Sequence, residues 1–260
     1  MCQLLGLCFN QEVSPSLSFR GFIHRGDYNR DGWGLAYYPD QSALVIKEPL
    51  QSNKSLLANF FRDYGIIKSK IIISHVRAAS IGNISYMNTH PFHRELGGKE
   101  FVFAHNGTLF DYTNLDTGRF KPIGDTDSEH VFCYLLNKIQ KENINIYNWN
   151  QESFNYIYEI LKEINQYGYF NCLFSDGEYL FAYHDKNNYN GLYYLERKYP
   201  FNIVNLLDED FEIDLSKEKD SNQRGFIIAT KPLTKNEDWK TFEKSHLIVF
   251  KDGNIVFSKY

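Results

Sequence analysis

The apolar residues of this chain change period twice along its length. Residues 2–9 form a short apolar run, read as a buried strand. Residues 35–38 and 43–48 alternate about the turn Pro39-Asp40-Gln41-Ser42 and predict a hairpin. Leu56, Leu57, Phe60 and Phe61 recur at helical spacing within 52–64. Residues 70–75 are apolar on both faces and predict an internal strand, and 101–105 predict another that ends at Asn106-Gly107. The period then becomes helical. Thr126-Asp127-Ser128-Glu129 has capping-box spacing, followed by one apolar face through Val131, Phe132, Leu135, Leu136 and Ile139. A second helix fits 152–166 through Phe154, Ile157, Leu161 and Ile164. Strands return at 169–175 and 178–185 around Asp176-Gly177, then at 192–197, 225–230, 246–251 and 254–260, the last pair turning at Asp252-Gly253. Strands, two helices, then strands, with no repeat or linker between them, predict one α+β domain over 2–260 in which antiparallel sheets stack between helices.

Composition narrows the classes. The 260 residues are 43% hydrophobic, enough to bury a substantial core. The net charge is -4 and no basic stretch stands out, so neither nucleic acid nor an anionic membrane is an expected partner. No apolar run reaches membrane-spanning length, and the N-terminus lacks a signal-peptide pattern, so a cytoplasmic protein is expected. The four cysteines Cys2, Cys8, Cys133 and Cys172 include no C-x-x-C pair and no nearby His that would complete a zinc pattern. Neither a metal nor an organic cofactor is expected, and disulfides are not expected in a reducing compartment.

Chemistry concentrates at Cys2. If Met1 is removed, Cys2 carries a thiol and a free α-amine on one carbon, which is a nucleophile with its own base. A free thiol has a pKa of about 8.5, and an N-terminal amine of roughly 8 can take its proton. The other reading is a buried apolar residue opening a strand. Three further polar points fall at predicted strand ends or a helix start. Arg77 is a planar fork suited to a carboxylate, or to a structural ion pair. Asn106 and the Gly107 N–H suit an oxyanion, although Asn-Gly is also a common hairpin turn. Asp127 can hold an ammonium, or serve only the helix dipole. His90 before Pro91 reads as a loop packing residue, and Gly32-Trp33-Gly34 as a tight turn. Together with Cys2, the three points describe a grip on a free amino acid with an amide side chain.

At this stage the chain resembles the class II glutamine amidotransferases, a family of N-terminal-nucleophile hydrolases, and most of all their stand-alone bacterial members. The resemblance is carried by Met1-Cys2-Gln3-Leu4-Leu5-Gly6, Arg25-Gly26, Asp31-Gly32-Trp33-Gly34, His75-Val76-Arg77, Asn88-Thr89-His90-Pro91-Phe92, Ala104-His105-Asn106-Gly107 and Thr126-Asp127-Ser128-Glu129. It implies an αββα sandwich of two antiparallel sheets between helical layers. It implies Cys2 as nucleophile with its α-amine as base, and Asn106 and Gly107 as the oxyanion hole. Arg77 would bind the α-carboxylate of glutamine and Asp127 its α-amine, with Ser80, His90, Arg25 and Gly26 completing the substrate-binding set. The sugar-synthase members read Arg-Trp-Ala-Thr where this chain reads Arg77-Ala78-Ala79-Ser80, which keeps a hydroxyl but alters the pocket wall. The expected reaction is hydrolysis of the γ-carboxamide of glutamine through a thioester on Cys2. Freed ammonia would pass to an unknown partner enzyme or escape. Three alternatives stay open: hydrolysis of a γ-glutamyl peptide or conjugate, a non-catalytic binding or regulatory module that retains Met1, and a thiol redox pair of Cys2 with Cys8. The last is disfavoured because six residues of extended strand separate the two by about 20 Å.

Overall fold

The apolar run behind Cys2 is β1 (Gln3–Val13), a strand buried on both faces over most of its length. The structure, a computed structural model, describes residues 1–65 and 67–260. The chain continues through α1 (Ser16–Ile23), β2 (Trp33–Tyr37), β3 (Leu44–Glu48), α2 (Leu56–Asp63), β4 (Ser69–Val76), β5 (Phe92–Leu96) and β6 (Lys99–Leu109). Then come α3 (Asp127–Lys141), α4 (Gln151–Ile164), β7 (Gly168–Ser175), β8 (Leu180–Tyr183), β9 (Tyr193–Lys198), β10 (Ile203–Asn205) and β11 (Glu212–Asp214). The last elements are α5 (Leu215–Glu218), β12 (Arg224–Ala229), β13 (Lys240–Thr241), β14 (Leu247–Lys251) and β15 (Asn254–Lys259).

Two antiparallel sheets result. One runs β13-β9-β12-β1-β4-β2-β3 and the other β15-β14-β8-β7-β6-β5, with β10 and β11 as a separate hairpin. Alternation along β1 shows how the layers form. Leu5, Leu7 and Phe9 pack under Phe19 and Phe22 of α1 and Phe61 of α2. Leu4 and Cys8 point the other way, into an interlayer core with Val102, Ala104, Leu173 and Ile248 of the second sheet. The outer face of that second sheet, through Phe103, Phe170, Phe174 and Phe181, is covered by α3 and α4. The architecture is thus the αββα sandwich, and its two-sided burial explains why β1 and β4 read as continuous apolar runs.

Several boundaries differ from the sequence reading. The apolar face expected for 52–64 is not the buried one. Leu56 is 88% exposed, and Leu57 and Phe60 are open, whereas Ala58 and Phe61 are buried. The Ser55 hydroxyl accepts from Ala58 N (2.9 Å) and starts α2 four residues late, after a separate turn at Ser52–Lys54, and the side that packs against β1 and α1 is the one carrying Ala58 and Phe61. Asn106 and Gly107 do not end a strand. They lie inside β6, which pairs with β7 as far as Leu109 opposite Gly168. The Asn-Gly turn reading fails because neighbouring β7 supplies backbone partners through that stretch. Helix α1 and the charged edge strand β5 carried no usable period and were not predicted.

Thr126 caps α3 as its spacing predicts, accepting from Glu129 N (3.2 Å). The return half of a capping box is replaced, because the Glu129 carboxylate instead pairs with Arg94 and accepts from Gly124 N. Thr126→Ala is expected to cost about 1 kcal/mol of unfolding free energy, measured by urea denaturation.

Candidate functional site

Strand pairing puts Cys2 where it is. Gln3 lies opposite Val76 and Leu4 opposite His75, so Cys2 falls beside Arg77, one step past the last β1–β4 pair. Its sulfur accepts from Ala78 N and its S–H donates to Ala78 O, both at 3.2 Å. Its carbonyl accepts from Asn190 Nδ2 (2.9 Å). Met1 is 60% exposed, with its carbonyl accepting from Gln3 Nε2 (3.1 Å). Burial pushes the Cys2 thiol up, the Ala78 N–H and the Arg77 charge pull it back, and the Asp127 charge adds to the rise. Arg77 and Asp127 are therefore both near enough to act on the sulfur electrostatically. All four cysteines are free thiols, and Cys8 is buried between the sheets, so the two that were weighed as a redox pair are not bonded.

Arg77 is buried and donates to the carbonyls of Ile81, Gly82 and Asn83 at 3.0–3.2 Å, which curls the loop after β4 around its guanidinium. The Asp-Gly-Trp-Gly stretch does more than turn. Arg77 N donates to Gly32 O (2.8 Å), Asp31 N donates to Arg77 O (3.1 Å), and Asp31 Oδ2 accepts from Ala79 N (2.7 Å). Asp31 thus braces the same Ala78 segment that holds the thiol. The Ser80 hydroxyl accepts from Thr108 (2.9 Å), which ties this loop to β6.

In β6, Asn106 is fully buried and donates through Nδ2 to Thr230 Oγ1 (3.0 Å), the hydroxyl that also accepts from Leu4 N (2.7 Å). One hydroxyl thus connects Asn106 to the strand carrying Cys2. Asn106 Oδ1 has no partner. Gly107 has φ +152, and a Cβ there would meet Tyr169 O at 1.9 Å, so only glycine fits. Asp127 opens α3, and its carboxylate accepts from Leu109 N and Ser128 N, both at 2.8 Å. It therefore joins the end of β6 to the helix.

His90 lies behind the site rather than at its mouth. It is buried, its ring centroid lies 4.1 Å from that of His75 with the planes tilted by 30°, and neither ring nitrogen has a partner. The His75 Nε2–H donates to His105 O (3.1 Å), and His105 bonds Ser128 Oγ (2.8 Å) and Tyr169 O (3.2 Å). Burial drives His75 down to about 3 and lowers His90 and His105 as well, so all three support the site as neutral rings. Gly26 makes room for Ser52, whose Oγ would lie 2.1 Å from a Cβ, so its requirement is packing. Arg25 does border a cleft of about 310 Å³ beside Met1 and Gln3, where it pairs with Asp208 (2.7 Å). Thr230 and Asn190 were not singled out from the sequence, and Asp31 and Ala78 were quoted only within motifs, without a role. Thr230 reaches Leu4, and Asn190 reaches Cys2, only through the β1–β12 pairing and the turn before β9.

Comparison with known proteins agrees with this arrangement. The sequence pattern of the class-II glutamine amidotransferases matches residues 1–260, and the chain belongs to that family. It is 53% identical over 258 residues to an uncharacterized protein of Methanocaldococcus jannaschii, covering 99% of this chain and 71% of that one. It is 40% identical to the Escherichia coli K12 protein named "Putative glutamine amidotransferase YafJ", covering 92% of this chain and 93% of the relative. Among solved structures, a predicted glutamine amidotransferase from Pseudomonas aeruginosa superimposes with a TM-score of 0.73 at 29% identity, covering 98% of this chain and 100% of that one.

The buried histidines generate a pH prediction. Below pH 6.5 an unfolded His75 binds a proton that the folded ring refuses until about pH 3. Stability is therefore present above pH 6.5 and is lost as the pH falls. From His75 alone the loss between pH 7 and 4.5 is about 2–3 kcal/mol, and His90 and His105 add to it. The thermal midpoint measured by circular dichroism is expected to fall steeply over this range.

Proposed function

We propose that the protein, once Met1 is removed, hydrolyses the γ-carboxamide of glutamine to glutamate and ammonia. The observation that carries this reading is the Cys2 sulfur held by Ala78 N–H beside Arg77, with Asn106 one hydroxyl away from the same strand.

The Cys2 thiol is raised by burial and so is protonated at rest. It needs a base, and a freed α-amine on its own Cα supplies one directly or through one water. The thiolate attacks the amide carbon. The carbonyl oxygen becomes an oxyanion, which the spare Asn106 N–H and the Gly107 N–H hold. The C–N bond breaks, the leaving nitrogen takes the proton from the Cys2 ammonium, and a γ-glutamyl thioester remains. Water, deprotonated by the same amine, cleaves the thioester and releases glutamate. Arg77 binds the substrate α-carboxylate, at the cost of loosening one of its three carbonyl contacts, and Asp127 binds the α-ammonium. Ammonia leaves to solvent or to a separate acceptor enzyme.

Cys2→Ala is expected to release no glutamate and to show no burst. Asn106→Ala should lower kcat by about 10²–10³ with the protein still folded by circular dichroism. A chain extended at its N-terminus, so that the Cys2 nitrogen stays an amide, should be inactive. Intact mass and an enzymatic glutamate assay on one sample decide this, and full activity with Met1 retained would sink the reading.

A further inference from the structure

The interlayer core turns polar at one end, on four strands at once. On β12 the inward positions run Phe226 and Ile228, and the next two-residue step is Thr230. On β6 they run Val102 and Ala104, and the next is Asn106. On β4 the step after Ile71 and Ile73 is His75, and on β1 the step back from Leu4 is Cys2. Thr230, Asn106 and His75 are each at most 1% exposed. A valine in place of Thr230 would continue the apolar face, whereas a buried hydroxyl must find partners.

The partners it finds are specific. Leu5 pairs with Ala229, so the next rung of the β1–β12 ladder sets Leu4 opposite Thr230. Half of that rung is regular, with Thr230 N donating to Leu4 O (3.1 Å). In the other half the Thr230 hydroxyl accepts from Leu4 N (2.7 Å), where a regular antiparallel rung would use the Thr230 carbonyl. The side chain thus stands in for the backbone where β12 leaves the sheet, just before Lys231-Pro232. The second lone pair of the same hydroxyl accepts from Asn106 Nδ2 (3.0 Å), which belongs to the other sheet. One oxygen therefore fixes both the start of β1 and the direction in which the Asn106 amide nitrogen faces.

We infer that Thr230 is a positioning residue for the hydrolysis: its hydroxyl registers the Asn106 amide against the strand that follows Cys2, so that the remaining Asn106 N–H meets the oxyanion. The inference rests on the Cys2 reading and gives that site a residue to which no role is otherwise assigned. Thr230 acts through Asn106 rather than on the reacting atoms. Valine has nearly the same shape but offers no lone pair, so it would leave Leu4 N–H and one Asn106 N–H unmatched and free the amide to turn. Serine keeps the hydroxyl and loses only the methyl group.

The test uses full-length protein with Met1 removed, checked by intact mass, and follows glutamate release from glutamine. Thr230→Val is expected to lower kcat by about ten- to a hundredfold, as a small misplacement of an aligned group does, with KM changed by no more than about twofold. Thr230→Ser should recover most of kcat. In an Asn106→Ala background Thr230→Val should lower kcat no further, because its route is already cut, whereas general loosening of the fold would multiply the two losses. Should Thr230→Val not fold by circular dichroism, Thr230→Cys, similar in size and a weaker acceptor, carries the same comparison. An unchanged kcat, a loss that multiplies with that of Asn106→Ala, or no recovery with serine overturns the role of Thr230, while Cys2-dependent glutamate release leaves the wider reading standing. A wild type that releases no glutamate removes both.

Discussion

Everything at this site hangs on the pairing of β1 on both of its edges. β4 on one side and β12 on the other fix the register of a strand whose first residue follows Cys2 directly. A slip of one residue would turn Leu4 and Cys8 out of the interlayer core and Leu5 and Leu7 out from under α1. The apolar burial that holds the two sheets together is thus the same force that aims Cys2 at Ala78. Gly6 shows how tight the contact is, since a Cβ there would meet Leu173 Cδ1 at 3.0 Å.

Around that strand the polar groups are anchored in series. Asp31 braces Ala79, Ala78 meets the sulfur, Thr230 joins Leu4 to Asn106, and Asp127 joins β6 to α3. Each link is a backbone or hydroxyl contact with little freedom, which is how a site keeps its geometry before a substrate arrives. The neutral histidine layer beneath serves the same end. His105 crosses from β6 to α3 through Ser128, and His75 reaches β6 through the His105 carbonyl. These rings lock the two sheets near Asn106 of β6 without adding charge there. Burial is what raises the Cys2 thiol and keeps it protonated at rest; the Ala78 N–H, the N-terminal ammonium and Arg77 favour the thiolate, and Asp127 disfavours it.

Membership of the class-II glutamine amidotransferases does not by itself choose between ammonia and a larger amine as leaving group. Among the described residues no helix is long and apolar enough to cross a membrane.

The order of strands and helices, the αββα layering, the Thr126 cap and the local motifs around Cys2, Arg77, Asn106 and Asp127 were legible in the chain. They rest on short-range period, capping chemistry and contiguous residues. Tertiary contact decided the rest. It carried β6 through Asn106-Gly107, because β7 offered a partner where the local signal was a turn. It turned α2 onto Ala58 and Phe61, because that side meets the core formed by β1 and α1. It placed His90 behind His75, and it brought Thr230 to Leu4 and Asn190 to Cys2 across nearly two hundred residues or more. Sequence periodicity records which face of an element is apolar, but partners so distant along the chain are chosen only when the sheets pair.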